Sequence, residues 1–294
     1  MKKKVAIGLD IGGTKIKAGI VDADGRIYGI PITIPTTPNA PSEIIINRIF
    51  VLLEEIRKKT PNVVIQGIGI GCTGPVDCRQ GIILDVANLP TLNNFPLKAV
   101  LEQRFSLQVT MDNDANAMIL GESVWGAGCD SEVILGITLG TGLGCAWVIN
   151  NCIWHGYSEC AGEIWTSPYK DGIIEEYVSG HAITRLYKEY AQVELPAQQI
   201  ADLARTGDKS AIRVWNIFAE TLAYTLAWTV NMCDPQKVVI GGSIIKAADL
   251  YWGQMLELFH RHICRSTAQV ISVVPAALGD DAGFMGAAAL ILKQ

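Results

Sequence analysis

Two stretches far apart in the chain combine the residue types that handle phosphate. Asp10 closes the apolar run Val5-Ala6-Ile7-Gly8-Leu9 and stands directly before Ile11-Gly12-Gly13-Thr14-Lys15. Thr138-Leu139-Gly140-Thr141-Gly142-Leu143-Gly144 follows a second apolar run, Val133-Ile134-Leu135-Gly136-Ile137. In each, the backbone N–H groups of a Gly/Thr turn and a threonine hydroxyl can cradle phosphate oxygens. Glycine lets bare backbone approach those oxygens closely. One such turn is an ordinary hairpin; one in each half of the chain points to a nucleotide clamped between two similar domains. An acid beside a phosphate cradle is costly without a cation between them. Asp10 is therefore read as a holder of Mg²⁺, directly or through water, against the plainer role of an Asx-turn residue.

A third stretch, Asn113-Asp114-Ala115-Asn116, lies at a strand-to-helix junction, the usual ligand edge of an α/β sheet. Asp114 can take the proton of a hydroxyl nucleophile. Asn113 and Asn116 can position a substrate or cap the helix. Glu163, in Ala161-Gly162-Glu163, and Glu175 offer carboxylates that can grip adjacent sugar hydroxyls, although each alone reads as a surface acid. Gly241-Gly242-Ser243 follows a strand and could let an adenine ring approach the backbone; alone it is a common turn.

These residues need elements to hold them. Strands are expected at Val5–Leu9, Ile16–Val21 and Ile27–Ile34, the last two joined by Asp22-Ala23-Asp24-Gly25. A helix capped by Ser42 should run to about Lys59. A buried strand Val63–Ile70, a helix Leu97–Arg104 and a strand Gln108–Met111 complete a first βββαβαβ block. A helix over Asn116–Trp125 leads to the second hairpin and an irregular loop, 150–172. Helices are expected over Ile173–Tyr190, Pro196–Arg205 and Ser210–Met232. The last is apolar nearly all round, through Phe218, Leu222, Leu226, Trp228 and Val230, which implies burial between layers. Strands Val238–Ile240 and Gln269–Pro275 and a terminal helix Gly283–Leu292 close the chain.

Composition narrows the classes. The 294 residues are 49% hydrophobic and 18% charged, which fits large buried cores and excludes a disordered chain. The net charge of −5 leaves no basic surface for nucleic acid. The short runs Lys2-Lys3-Lys4 and Arg57-Lys58-Lys59 read as solvated ends. Asp10 interrupts any signal-peptide pattern, and the uncharged stretch Val133–Trp154 reads as hairpin rather than membrane span. The eight cysteines, at 72, 78, 129, 145, 152, 160, 233 and 264, contain no C-x-x-C pair. They are expected to be mostly buried thiols of a reduced cytoplasmic protein, without zinc-site spacing.

In this order the motifs resemble the ROK family (repressors, open reading frames and sugar kinases) of the actin/hexokinase superfamily. The resemblance runs through Leu9 to Lys15, Gly69-Ile70-Gly71-Cys72-Thr73-Gly74-Pro75-Val76-Asp77, Asn88-Leu89-Pro90 and Asn113 to Ala117. It continues through Leu139 to Gly144, Ala161-Gly162-Glu163, Ser179-Gly180, Asp234-Pro235, Gly241-Gly242-Ser243, Leu278 to Gly283 and Gly286-Ala287-Ala288. It implies an α/β protein of two actin-like (ribonuclease H-like) domains, each a mixed sheet flanked by helices, with a cleft between them. The expected domains are 1–115, with a terminal helix 283–294 packing back on it, and 116–282. The implied reaction is ATP-dependent phosphorylation of a hexose 6-hydroxyl. Asp114 would be the general base, and Asn88, Asn113, Glu163, Glu175 and Gly74 would hold the sugar. Asp10, Gly12, Gly13, Thr14, Lys15, Thr138, Gly140, Thr141 and Gly142 would surround the phosphates, and Gly241 and Gly242 the adenosine.

The family's usual histidine and cysteine-rich zinc loop after A-G-E is missing: Thr166 stands at the histidine position, and no cysteine occurs between Cys160 and Cys233. No zinc is therefore expected. Trp165 or Tyr169 either stacks on a sugar ring or fills the volume that the loop would occupy. His155 and His181 are expected at the surface or in helix packing. Glucose is the default substrate; N-acetylmannosamine, fructose, allose or a β-glucoside are alternatives. A non-catalytic sugar-binding protein is a lesser one. A repressor of the family would carry an N-terminal helix-turn-helix, for which the position of Asp10 leaves no room. The family expectation for assembly is a homodimer, in the cytoplasm, without membrane or nucleic-acid partners.

Overall fold

The computed structural model describes residues 3–293. Met1, Lys2 and Gln294 lie outside the described residues, and with them the start of the basic run and the last position of the expected terminal segment 283–294. The chain divides into two compact units: residues 1–130, 148–159 and 277–294 form one, and residues 131–147 and 160–276 the other.

In the first unit, β1 (Lys3–Ile11), β2 (Lys15–Asp22) and β3 (Ile27–Pro35) form an antiparallel meander. Helix α1 (Ser42–Lys59) then leads to β4 (Val63–Cys72). Short β5 (Val76–Asp77) and β6 (Ile82–Ile83) pair with each other, and α2 (Leu97–Phe105) precedes β7 (Gln108–Asn113) and α3 (Asp114–Trp125). The sheet order is β3-β2-β1-β4-β7, with β1, β4 and β7 parallel. Helix α1 buries Ile45, Ile49, Leu52 and Leu53 against one sheet face, at the i, i+4, i+7, i+8 spacing of an amphipathic helix. Ser42 is its first residue and not its cap; Pro41 takes the cap position, without a side-chain bond.

The second unit repeats the plan. It contains β8 (Val133–Leu139) and β9 (Leu143–Ile149), whose last two residues and the short β10 (Cys152–Ile153) group with the first unit. A small hairpin, β11 (Pro168–Tyr169) and β12 (Gly172–Ile173), precedes helices α4 (Gly180–Ala191), α5 (Ala197–Arg205) and α6 (Lys209–Cys233). Then come β13 (Lys237–Gly241), α7 (Ala248–His262), the single turn α8 (Arg265–Ala268) and β14 (Ser272–Pro275). Its sheet order, β10-β9-β8-β13-β14, again ends in parallel strands. The uncharged stretch from Val133 is thus hairpin, and among the described residues no helix is long and apolar enough to cross a membrane.

Helix α9 (Ala282–Leu292) returns to the first sheet at backbone distance. A β-carbon on Gly8 would lie 1.7 Å from Phe284 O, and one on Gly69 1.7 Å from Ala287 O. Only glycine in those strands admits the helix. Helix α3 packs on α9, and its fully buried Glu122 accepts hydrogen bonds from the N–H groups of Ala127, Ala277 and Leu278 at 2.8, 3.0 and 2.8 Å. Those bonds satisfy a buried carboxylate that would otherwise be costly, and they carry the first unit past residue 115, to Asp130.

Three expectations are corrected. Residues 173–179 are not part of the α-helix: Ile174–Glu176 form a single 3-10 turn, Ile174 N–H bonds Ser167 O at 3.0 Å, and the helix starts only at Gly180, capped by Ser179 Oγ on Ala182 N–H. Helix α6 is not apolar all round, because Trp228 is 65% and Met232 81% exposed. Of the cysteines only Cys72 and Cys145 are buried; five are exposed.

Candidate active site

In the first unit the site residues collect at the carboxyl ends of the parallel strands. Asp10 on β1 pairs with Gly71 on β4, and Gly71 with Asp112 on β7. One row further on, Ile11 pairs with Cys72, and Cys72 with Asn113. Strand pairing therefore carries Asp10 and the Asn113-Asp114 dipeptide to one edge, although about a hundred residues of chain intervene.

The β1–β2 turn is closed by Gly12 N–H to Lys15 O at 3.0 Å and fastened by Thr36 Oγ1 on Gly12 O at 2.7 Å. A β-carbon on Gly13 would meet Asn88 Cβ at 2.9 Å, so the first phosphate turn and the exposed Asn88 are neighbours. Thr14 and Lys15 are exposed. Asn113 caps α3: its Oδ1 accepts from Ala115 N–H at 2.9 Å, and Asp114 Oδ1 accepts from the same N–H at 2.8 Å. A β-carbon on Gly74 would lie 2.7 Å from Asn113 Nδ2. Asn116 lies inside the helix and does not cap it; its Nδ2 donates to Asp112 Oδ1 at 2.8 Å.

Burial, and next the charge of Asp114, pushes the Asp10 carboxyl up to about 7, with Lys15 and Lys17 opposing. Lys17 is held by Asp281 Oδ1 at 2.6 Å and Asp280 O at 2.9 Å. Two acids that repel each other beside a Gly/Thr turn fit a divalent cation, whose charge would relieve both burial and repulsion.

In the second unit, Gly140 N–H closes the β8–β9 turn on Gly142 O at 3.0 Å. Gly140 has nothing within 4 Å of a would-be β-carbon, so the turn is open on that side; Thr141 is exposed. The first residues of α4 dock on the turn: Gly180 N–H donates to Gly140 O at 2.8 Å and His181 N–H to Thr141 O at 3.3 Å. Thr138 pairs with Gly241 on β13. Gly242 has φ +89°, and a β-carbon there would lie 2.3 Å from Leu139 O. This register and close approach place the phosphate turn and the Gly241-Gly242 turn side by side.

Glu175 sits beneath that hairpin: its Oε2 accepts from Leu143 N–H at 2.7 Å and would lie 2.4 Å from a β-carbon on Gly142. Glu163 is exposed and accepts a hydrogen bond from Trp165 Nε1. Tyr169 packs edge-on against Tyr177 at 5.2 Å between ring centres and lies on the second unit's core, filling volume there. Trp165 is partly exposed.

One grouping was not legible in the sequence. His155 Nε2 lies 2.7 Å from Asp112 Oδ2, and Cys78 Sγ 3.7 Å from Asp112 Oδ1. The carboxylate bond holds the His155 imidazole pKa above its ordinary value, against the effect of burial. His155 is therefore not the surface or helix-packing residue expected.

Two sheets of the same order, each with a Gly/Thr hairpin at its ligand edge, define a phosphate-handling α/β protein, and a sequence model of the ROK family matches residues 6–294. The chain belongs to the ROK family. It is 31% identical to the glucokinase of Thermotoga maritima, over 100% of this chain and 99% of that one. It is also 31% identical to the N-acetyl-D-glucosamine kinase of Photobacterium profundum, over 98% and 99%. The crystal structure of a ROK family glucokinase from Streptomyces griseus in complex with glucose and AMPPNP superposes with a TM-score of 0.83 at 30% identity, covering 99% of this chain and 100% of that one. The actin-like fold expected from the motifs is thereby shown.

Proposed function

We propose that the chain is an ATP-dependent hexose kinase that transfers the γ-phosphoryl group of Mg-ATP to the 6-hydroxyl of glucose or a closely related hexose. The observation that carries it is the row Asp10–Gly71–Asp112 with its neighbour Cys72–Asn113, which brings a phosphate turn and Asp114 to one sheet edge. Full-length relatives that are glucokinases support it.

Phosphoryl transfer needs positioning and charge neutralisation more than covalent help. Asp114, fixed by the Ala115 N–H on one oxygen, is the general base for the sugar hydroxyl. Asn88 and Asn113 hold the sugar, with Gly74 leaving room beside Asn113 Nδ2; Glu163 is a separate candidate for the same role. Gly12, Gly13, Thr14 and Lys15 form one candidate phosphate-binding turn, and Thr138, Gly140, Thr141 and Gly142 form another. Gly241 and Gly242 border the adenosine. Glu175 braces the second phosphate hairpin through Leu143 N–H rather than acting mainly on the sugar. Asp10 would hold magnesium, which when bound neutralises charge on the phosphates. The same proposal includes a homodimer acting in the cytoplasm.

A second acceptor is favoured by one observation: N-acetyl-D-glucosamine kinases match the whole chain as closely in identity as the glucokinases do. The test is coupled ADP release with Mg-ATP across glucose, mannose, fructose, allose, N-acetylglucosamine, N-acetylmannosamine and cellobiose. Sugar-dependent release that falls by at least about 10²–10⁴-fold in Asp114→Asn, with sugar binding kept, is expected. Unchanged turnover in Asp114→Asn removes that residue from the mechanism; no release with any sugar removes the kinase reading.

A further inference from the structure

The grouping around Asp112 belongs to none of the roles above. Asp112 is the next-to-last residue of β7, with its side chain 5% exposed. His155 comes from the loop after β10 and Cys78 from the turn after β5, so three distant segments of the first unit converge on one buried carboxylate. One ligand atom from each of the three residues lies within 4.8 Å of the others. They line a cavity of about 340 Å³ together with Arg79, Trp154 and Glu159. Glu159 accepts the Cys78 N–H at 3.2 Å through one oxygen and pairs with Arg79 Nε at 2.7 Å through the other.

We propose that Cys78, Asp112 and His155 form a binding site for one zinc-like divalent transition-metal ion. Thiolate, imidazole and carboxylate are the donor set of Zn²⁺ and Co²⁺, and hard cations such as Mg²⁺ do not favour the sulfur. Bond lengths of about 2.0–2.3 Å in a tetrahedron place such donors roughly 3.3–3.7 Å apart. Cys78 Sγ stands 3.7 Å from one carboxylate oxygen, Asp112 Oδ1, and His155 faces the other, Oδ2, so Asp112 presents one oxygen to each partner. The His155–Asp112 separation of 2.7 Å must widen by about half an ångström, which a side chain 32% exposed allows. The cavity leaves room for a water or for Glu159 as fourth ligand. On binding, the thiol proton leaves to solvent, the Nε2 proton leaves to solvent from an imidazolium or moves to Nδ1 in a neutral ring, and two metal bonds replace the contacts with Asp112.

This site runs against the expectation that the protein has no zinc site; that expectation rests on cysteine spacing and the segment 163–175, whereas the site uses neither and lies in the other unit. Asp112 also accepts Asn113 N–H and Asn116 Nδ2, each at 2.8 Å. A bound ion would therefore fasten the loop 154–159 and the Cys78 turn to the strand-to-helix junction that carries Asp114, making Asp112 a positioning residue.

Chelator-stripped full-length protein should be titrated with Co²⁺ and then Zn²⁺. One equivalent of Co²⁺ with a thiolate charge-transfer band is expected, displaced by Zn²⁺ and accompanied by a rise in Tm. Cys78→Ser should lose the band, and Cys78→Ser and His155→Gln should each weaken binding at least about tenfold. Both replaced side chains are partly exposed, so the variants should fold, which circular dichroism checks. No stoichiometric binding overturns the proposal and leaves a hydrogen-bonded cluster; binding unaffected by both variants overturns it by placing the ion elsewhere.

Discussion

A β-carbon on Gly283 would lie 2.4 Å from Asp10 Oδ2 and 2.6 Å from its Cγ, so the first turn of α9 touches the carboxyl assigned to magnesium. Gly283→Ala must displace that carboxyl or the helix. The expected result is a fall in kcat/KM for Mg-ATP of roughly 10–100-fold, the equivalent of about 1–3 kcal/mol of overpacking. Gly253→Ala, in α7 with open space around it, is the control and should be neutral or stabilising by about 0.5–1 kcal/mol. Equal kinetics for the two variants would separate Gly283 from the site.

Asp10 also predicts a pH dependence of stability. Burial, then Asp114, raises its carboxyl from 3.8 to about 7 in the folded chain. Between these values the unfolded chain has released the proton and the folded chain still holds it, so the unfolded state binds fewer protons and stability falls as pH rises. The loss is complete above about pH 7. Asp22 and Asp249 are lowered and act with the opposite sign, so the measurement is the difference from Asp10→Asn. Relative to wild type, the apo variant should gain on the order of 1–2 kcal/mol in urea midpoints between pH 4 and 7, solvent relaxation reducing the full shift. A constant difference across that range would contradict the raised carboxyl.

The hairpins were legible because Gly/Thr turns between apolar runs carry their own local signal, and strand pairing then fixed Asp10 opposite Gly71. The stretch 173–179 was misjudged because Ile174 and Val178 are apolar at helical spacing, yet they bury against the second core from a short turn and loop. Trp228 shows the reverse failure, since hydrophobicity does not say which face of α6 meets solvent. Cys78, Asp112 and His155 lie 34 and 43 positions apart along the chain, with no spacing rule to join them. Only register across β4 and β7, and the turn after β10, brings them together.

Glu175 separates two roles by kinetics. Its Oε2 on Leu143 N–H supports the β8–β9 turn, which is proposed to bind phosphate. Glu175→Ala should raise KM for ATP by about tenfold, the order expected for losing a charge-assisted hydrogen bond of about 1.5–3 kcal/mol. The sugar KM should stay within about twofold on that account. A raised sugar KM with an unchanged ATP KM would return Glu175 to the sugar.

In the proposed reading, Asn113 joins a structural role and a sugar-binding role on opposite ends of one amide. Its Oδ1 caps α3 through Ala115 N–H, and its Nδ2 faces Gly74. Serine at 113 retains a capping oxygen and removes the amide donor; alanine removes both. Asn113→Ala should therefore lose about 0.5–2 kcal/mol of stability, while Asn113→Ser stays near wild type in Tm. Both should raise the sugar KM by a similar factor, about tenfold for one neutral hydrogen bond and the desolvated partner it leaves. If the serine variant restores sugar affinity together with stability, the cap alone explains Asn113, and Nδ2 does not contact the sugar.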